Sequence, residues 1–585
     1  MACDRVYIRW ALWAATHLNL QDLPVTPLNT ELYDAIVVGS GITGGWAAKE
    51  LCEAGLKVLM LEKGRQVEHG DYPTEHLAEH EMRFRGKGDR KLFARDYAVQ
   101  SQTGQFNEAT SGFFINDRLN PYTTARGTDF EWYRGNQLGG RSLIWSRQTY
   151  RWTDRDFAAN ARDGTAADWP IRYADLAPWY DHVERFVGIS GEANVSAEIP
   201  HGKLLPPLPL NEPELRLRAS NARHFPGRPL SIARVAVLTQ AHNNRAACHL
   251  CGPCARGCST GSYFSTQSTT LPAARLTGNL SLRTDSIVHE LIYDETDNRV
   301  RGVKVIDAKT HEQTEYRAKL VFLCASAYET VRLLLNSGKG GEGLANSSGT
   351  LGRYLMDHHF GVGARGQLDD IQSRYFNGSR PCGFIVPRFR NTTEQRSDYL
   401  RGFQMGGRAS QLGWPRGFSQ AGIGSDFKAQ MSQPGPWKIR LTGAGETLPN
   451  RDNRLTLDPK VTDAWGVPVP RFDVRFGENE IKMRVDIMNS AAEMLDAAGF
   501  KNIQAYNNIQ PPGKYIHEMG GARMGRDHNS SVLNANNQSH DIPNLFVTDG
   551  ACMTSSANQN PSLTYMALTA RAAHFAAGLL RDRKI

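Results

Sequence analysis

Four cysteines crowd one stretch of this sequence. Cys248, Cys251, Cys254 and Cys258 fall in CHLCGPCARGCS, a C-x2-C-x2-C-x3-C run. Thiolates this close can wrap one soft centre, and the intervening glycines leave the loop open enough to do so. The spacing is that of bacterial ferredoxins, with Ser259 where those have proline after the fourth cysteine. Ferredoxins send that fourth thiolate to a second cluster. Two questions therefore stay open: whether Cys258 is a ligand, and whether the centre is [4Fe–4S] or [3Fe–4S]. Zinc, which usually draws two separated ligand pairs, and free or structurally paired thiols are the alternatives. The other five cysteines (Cys3, Cys52, Cys324, Cys382 and Cys552) are scattered and read as small buried hydrophobes. This is not the spacing of a secreted disulfide framework.

A second candidate is His517, in the glycine-rich loop HEMGG. Alone, a histidine there is more often a structural hydrogen-bonder than a base. The segment NQNPSLT, Asn558–Thr564, changes the balance. Pro561 fits the first position of a helix, which places Asn560 at its positive end, where negative charge on a reduced flavin would be stabilised. Asp357-His358-His359 lacks a second ligand pair, so a structural role is expected there rather than a metal.

These groups need a scaffold, and Tyr33–Gly64 supplies its start. Asp34–Val38 reads as a buried parallel strand, ending at Gly39-Ser40-Gly41, with Gly44 completing G-x-G-x-x-G. Gly39 allows the tight turn, Gly41 lets backbone approach a pyrophosphate, and Gly44 lets helix and strand close up. An amphipathic run stopped by Gly55 leads to a second strand, Lys57–Leu61. Glu62 follows, placed to accept ribose hydroxyls and unfavourable to a 2′-phosphate, so FAD or NAD is expected rather than NADP.

At 585 residues the chain should form two domains, possible interleaving included. With 40% hydrophobic and 22% charged residues it is ordinary globular material. A net charge of +8 over this length without a basic block makes nucleic acid a poor guess, and a mixed solvated surface is expected. No run reaches membrane-spanning length, and Arg5–Leu20 is broken by Arg9, so a ragged N-terminal extension is expected rather than a signal peptide. Residues 69–134 read as a surface excursion. A helix is expected near Pro178–Val187, followed by a proline-rich loop through the 190s to the 230s. Ser286–Tyr293 and Val300–Ile306 read as a hairpin, and Leu320–Cys324 as another buried strand. Short strand-like pieces between 365 and 476 (Phe384–Arg388, Trp437–Leu441 and Val469–Val474) predict an antiparallel sheet. A helical stripe through Ile481–Leu495 ends at Gly499. The fold class is thus α/β, or α+β overall.

Together these motifs resemble the glucose–methanol–choline (GMC) family of flavin oxidoreductases over nearly the whole chain after Tyr33. The matching pieces are G-x-G-x-x-G with Glu62, GGRSLIW, GCSTGSYFSTQSTTLPAA, AYETVRLLLNS, HEMGGARMG and FVTDGACMTSSANQNPSLT. The resemblance implies FAD, held by a Rossmann-like domain built from residues 31–150, 245–360 and 506–585 after an extension over 1–30. It implies a substrate domain over 151–244 and 361–505, on an antiparallel sheet. It makes His517 the catalytic histidine and Asn560 its partner. It also sets Gly139, Gly140, Ser142, Trp145, Val288, Asp549, Gly550, Pro561 and Thr564 at the cofactor. In related pyranose oxidases a histidine of GG-x-S-x-H-W carries FAD covalently; Ile144 stands there, so non-covalent FAD is expected. The cysteine run resembles iron–sulfur dehydrogenases acting on sugars. GGRSLIWSRQTYRW, DWPIRYADLAPWYDHVE and GSYFSTQSTTLPAA look most like large subunits of bacterial glucoside 3-dehydrogenases. That likeness implies oxidation of a C3 hydroxyl of glucosides or disaccharides, a cytochrome c acceptor and a small companion subunit. It also implies export to the periplasm with that subunit, the cytoplasm being the alternative. Another sugar dehydrogenase (glucose C1, gluconate C2, fructose or sorbitol), a sugar oxidase using oxygen and a non-catalytic electron-transfer subunit are the competing readings.

Overall fold

The computed structural model describes Pro24 and residues 31–338, 341–371, 378–392 and 394–585. The Arg5–Leu20 stretch, and all of the expected extension over 1–30 except Pro24, lie outside the described residues.

Among the described residues, seven strands form the larger sheet. Leu280–Arg283, Val58–Leu61, Leu32–Val38 and Gln313–Leu323 run parallel in that order. Ala35–Val38 and Val58–Leu61 are apolar and buried throughout, because both faces are covered: Ala35, Val37, Val58 and Met60 pack against helices, and Ile36, Val38, Leu59 and Leu61 join the main core. Gln313–Leu323 uses its far edge twice. Residues 313–317 pair with Arg299–Asp307, the second arm of the hairpin begun by Ser286–Asp294, and residues 321–323 pair in parallel with Leu545–Val547. Strand order therefore reverses between Leu32–Val38 and Gln313–Leu323. In an open α/β sheet, the crevice at such a point is where ligands bind.

The helix Ile42–Glu53 follows the first strand and buries Trp46, Ala47, Ala48 and Leu51. The C-terminal helix Ser562–Arg581 packs beside it, burying an alanine-rich stripe (Ala567, Ala570, Ala573) that permits close approach. A second sheet of six antiparallel strands forms a separate layer: Lys501–Asn507, His359–Leu368, Trp437–Gly445, Phe403–Gln411, Phe384–Val386 and Ser231–Ile232. Its inner face, including Val362, Met405, Ile439 and Leu441, rests on Met483, Ile487, Met494 and Leu495 of the helix Glu478–Ala497. The architecture is a Rossmann-like layer interleaved with an antiparallel one.

Three expectations change. The proline-rich stretch holds a helix, Glu212–His224, started by an Asn211–Glu214 capping box with Pro213 in its first turn. Val469–Val474 joins a separate three-stranded sheet, as Pro468–Asp473 beside Arg454–Thr462 and Thr123–Thr124. Residues 69–134 are no mere surface excursion. Phe106, Phe113 and Phe114 bury against Leu143 and Ile144, and Trp132 enters the main core. Their irregular spacing gives no period by which sequence alone would show this.

Candidate active site

The crevice at the strand-order reversal continues as one cleft, and Asn560 in its wall is hydrogen-bonded to Gln404 of the antiparallel sheet. Gly39, Gly41, Glu62, Gly140, Ser142, Trp145, Val288, Asp549, Gly550, Asn560 and Pro561 line it, with His517 at one end.

Its glycines serve two different demands. A side chain at Gly39, where φ is +93°, would overlap the Cys324 carbonyl, and one at Gly44 would overlap the Gly39 carbonyl. Packing alone requires these two. At Gly41 a Cβ would meet nothing within 4 Å. Only something approaching from the cleft requires glycine there. The helix behind it has no side-chain cap and no acid in its first turn, so its opening N–H groups are left for an anion.

Glu62 Oε2 accepts from the Ser40 amide at 3.0 Å and from its hydroxyl, and Oε1 accepts from the Gly64 amide at 2.7 Å. Burial pushes its carboxyl upward in pKa, and these bonds oppose that. Three of roughly four lone-pair directions are used, which leaves one for a ribose hydroxyl. Gly139 and Gly140 both have positive φ, +82° and +50°. The Gly139 amide donates to Ser40 Oγ at 2.8 Å, and Ser142 Oγ donates to the Gly139 carbonyl at 2.6 Å. The GG-x-S turn is thus fastened onto the phosphate-type loop. Trp145 is fixed by its indole N–H on the Phe264 carbonyl at 3.0 Å. Asp549 caps the turn Gly550–Cys552, and burial pushes its carboxyl up to about 6. These residues fit an adenine dinucleotide such as FAD: a glycine kept open, free helix N–H groups and an acid for ribose.

Pro561, expected as the first helical residue, is the N-cap, and the helix Ser562–Arg581 begins one position later. Asn560 still precedes the positive end. Thr564 stands apart from the rest. It is fully buried, hydrogen-bonded to Tyr180 Oη at 2.8 Å, and faces the helix Tyr173–Val187 rather than the cleft.

At the far end a chain of hydrogen bonds fixes the state of His517. His358 Nε2 lies 2.9 Å from the Ala557 carbonyl, which only accepts, so that nitrogen carries a proton. Burial pulls the His358 pKa down to about 4, so its other nitrogen, Nδ1, is a lone pair at neutral pH. That lone pair lies 2.7 Å from His517 Nδ1, which therefore donates. Burial, His358 and Arg141 hold the His517 imidazole far below its ordinary pKa, hence neutral. Its Nε2 is then the basic lone pair. Asn560 Nδ2 donates to it at 3.1 Å, while Asn560 Oδ1 accepts from Gln404 Nε2 at 3.2 Å. Asp357 clamps the backbone from beneath, accepting the amides of His517 at 3.0 Å and Tyr515 at 3.1 Å. Burial beside Glu518 pushes its carboxyl up to about 7. Arg141 grips Glu518 with both arms, at 2.8 and 2.6 Å.

The sequence reading singled out His517 and Asn560 but not His358, Gln404 or the Arg141–Glu518 pair. The His-His doublet was the only signal, and its partner lies 159 positions away.

The four clustered cysteines line one small cavity with Tyr263 and Pro381, and none forms a disulfide. Their loop is anchored on both flanks. The Ser259 amide donates to Glu75, Arg256 to the Leu77 carbonyl, and the Ser379 amide to the Leu250 carbonyl. Among the described residues no group of three metal-ligating side chains is gathered to hold a metal ion. The donor set is nonetheless the one an iron–sulfur centre would use: four free thiols lining one void.

Two family models described as GMC oxidoreductase match residues 33–360 and 449–569. The chain is 29% identical to the 2-methyl-1,2-propanediol dehydrogenase of Mycolicibacterium austroafricanum, covering 93% of this chain and 94% of that protein. It is 25% identical to the fructose dehydrogenase large subunit of Gluconobacter japonicus, covering 94% and 98%. The formate oxidase of Aspergillus oryzae has the same fold, with a TM-score of 0.62 at 14% identity over 95% of this chain and 99% of that one. The chain belongs to the GMC oxidoreductase family.

Proposed function

We propose that this protein is an FAD-dependent dehydrogenase that oxidises a secondary hydroxyl of a sugar, with the C3 hydroxyl of glucosides or disaccharides as the substrate group. The observation that carries the reading is the His358–His517–Asn560–Gln404 chain, which delivers one neutral imidazole lone pair to the cleft. FAD bound non-covalently along the cleft supplies the acceptor for the hydride that leaves the alcohol carbon. His517 Nε2 takes the hydroxyl proton, and Asn560, freed from that nitrogen, donates to the alcohol oxygen and orients it. His358 keeps the proton of His517 on Nδ1, so Nε2 is the acceptor in every turnover. Arg141, tied to Glu518, adds positive charge close to where negative charge collects.

Cys248, Cys251, Cys254 and Cys258 would hold an iron–sulfur centre, which supplies a one-electron carrier beside a two-electron cofactor. The onward acceptor is then a one-electron protein such as a cytochrome c. A small companion subunit belongs to the same reading, as the fructose dehydrogenase relative is a large subunit. So does a periplasmic location reached with it. Among the described residues no helix is long and apolar enough to cross a membrane.

The test of the substrate is anaerobic mixing with methyl glucoside, whose anomeric carbon is blocked, while flavin absorbance is followed. Bleaching supports a ring or terminal hydroxyl other than C1. Bleaching by free glucose alone makes the protein a C1 dehydrogenase.

A further inference from the structure

Arg147 sits in the wall between the cleft and the cysteine cavity. It lines the cleft next to Trp145, and only 9% of it is exposed. Its Nη1 donates to the Cys254 carbonyl at 3.3 Å, so the guanidinium reaches the backbone of the thiol loop. It also lies 4.9 Å from the ring centroid of Tyr263, which is buried, lines the cysteine cavity and donates to the Leu143 carbonyl at 2.8 Å. Two features make the placement costly. Arg147 has φ of +62°, in the left-handed region that non-glycine residues seldom adopt. Its Nε is buried without a hydrogen-bond partner. No carboxylate among the described residues forms an ion pair with it. A buried cation with no carboxylate partner is expensive, and its position fits a site that an anion comes to occupy.

We propose that Arg147 is the residue that tunes the electron level of the cysteine site. Its fixed charge favours the more negatively charged, reduced state of a thiolate-bound iron–sulfur centre, and it does so from the wall that separates that centre from the cleft. The proposal rests on the reading of the four cysteines given above. In the transfer it supports, one electron leaves the cleft and one enters the cysteine site. The external one-electron acceptor oxidises that site again before the second electron follows. The protonation chemistry at His517 is not involved. A positive charge nearby makes reduction easier, so its removal must move the midpoint potential to more negative values. In a low-dielectric wall the effect is on the order of tenfold in the reduction equilibrium, or about 59 mV for one electron.

The experiment is an anaerobic potentiometric titration of the iron–sulfur signal, read by electron paramagnetic resonance on the FAD-loaded protein. It compares the parent with Arg147→Gln and Arg147→Lys, after iron and flavin contents have been measured. The expected result is a negative shift of about tenfold in Arg147→Gln, with the lysine variant close to the parent. An unchanged midpoint in Arg147→Gln, with iron retained, overturns the role of Arg147 alone. Should Arg147→Gln fail to load iron, the lysine variant decides: a shift as large as tenfold, with charge conserved, overturns the proposal. A parent protein that holds no iron overturns the cluster reading and this inference with it.

Discussion

The Nδ1 atoms of His358 and His517 lie 2.7 Å apart, and His358 Nε2 is held by the Ala557 carbonyl. One backbone oxygen therefore sets the tautomers of both rings. It leaves His517 Nε2 as the only basic nitrogen of the pair that faces the cleft.

Replacing His358 should weaken chemistry without emptying the cofactor site. In His358→Ala the His517 Nδ1–H loses its acceptor, and the imidazole is free to turn or to change tautomer. We expect flavin reduction by substrate to slow by about tenfold to a hundredfold, with FAD content unchanged. The unpaired buried N–H should also cost about 1–3 kcal/mol of stability. Rapid-mixing absorbance and thermal unfolding measure the two effects. His358→Gln, which keeps an acceptor, should recover part of the rate.

The glycine pair of the first turn separates folding from binding. Gly39→Ala places a methyl group on the Cys324 carbonyl and needs a strained backbone, so the apoprotein itself should lose stability. Gly41→Ala meets nothing in the protein and should unfold at the parent temperature, yet bind FAD much more weakly. Equal FAD affinity in Gly41→Ala and the parent, by fluorescence titration, would remove the basis for placing the pyrophosphate there.

Much of this site was legible because its parts are local. The strand–glycine–helix–strand–acid order of residues 33–64, the cysteine run and the Asn560-Pro561 helix start each lie within a few dozen residues. Periodicity and turn chemistry act over that range. The relations that give the site its chemistry are not local. His358 meets His517, Gln404 meets Asn560 156 positions away, and Arg141 meets Glu518 377 positions away. Nothing in the spacing of either partner encodes these meetings. The Glu212–His224 helix is a different case. Its Asn211–Glu214 capping box and Pro213 are local signals of a helix start, set among prolines whose composition reads as loop.

Asp357 should leave a mark on stability against pH. Its carboxyl is raised from 3.8 to about 7 in the folded protein. The folded state therefore keeps a proton that the unfolded chain releases near pH 4. The stability it contributes is full below pH 4 and is lost as pH rises through 7, with an upper limit on the order of 4 kcal/mol. His358, lowered from 6.5 to about 4, acts in the opposite sense: its contribution is full above 6.5 and is lost as pH falls toward 4. Asp357→Asn should remove the aspartate limb, so its unfolding temperature should rise, relative to the parent, between pH 4 and 7. An unchanged pH profile would contradict the protonated state of Asp357.

The most direct test of the account is the anaerobic rate of flavin reduction in His517→Ala against the parent, with an oxidisable sugar and with FAD content measured in both. A base that takes the hydroxyl proton predicts a fall of about 10²- to 10⁴-fold with FAD still bound. A rate within a few-fold of the parent would show that the proton goes elsewhere and that the histidine chain is only structural.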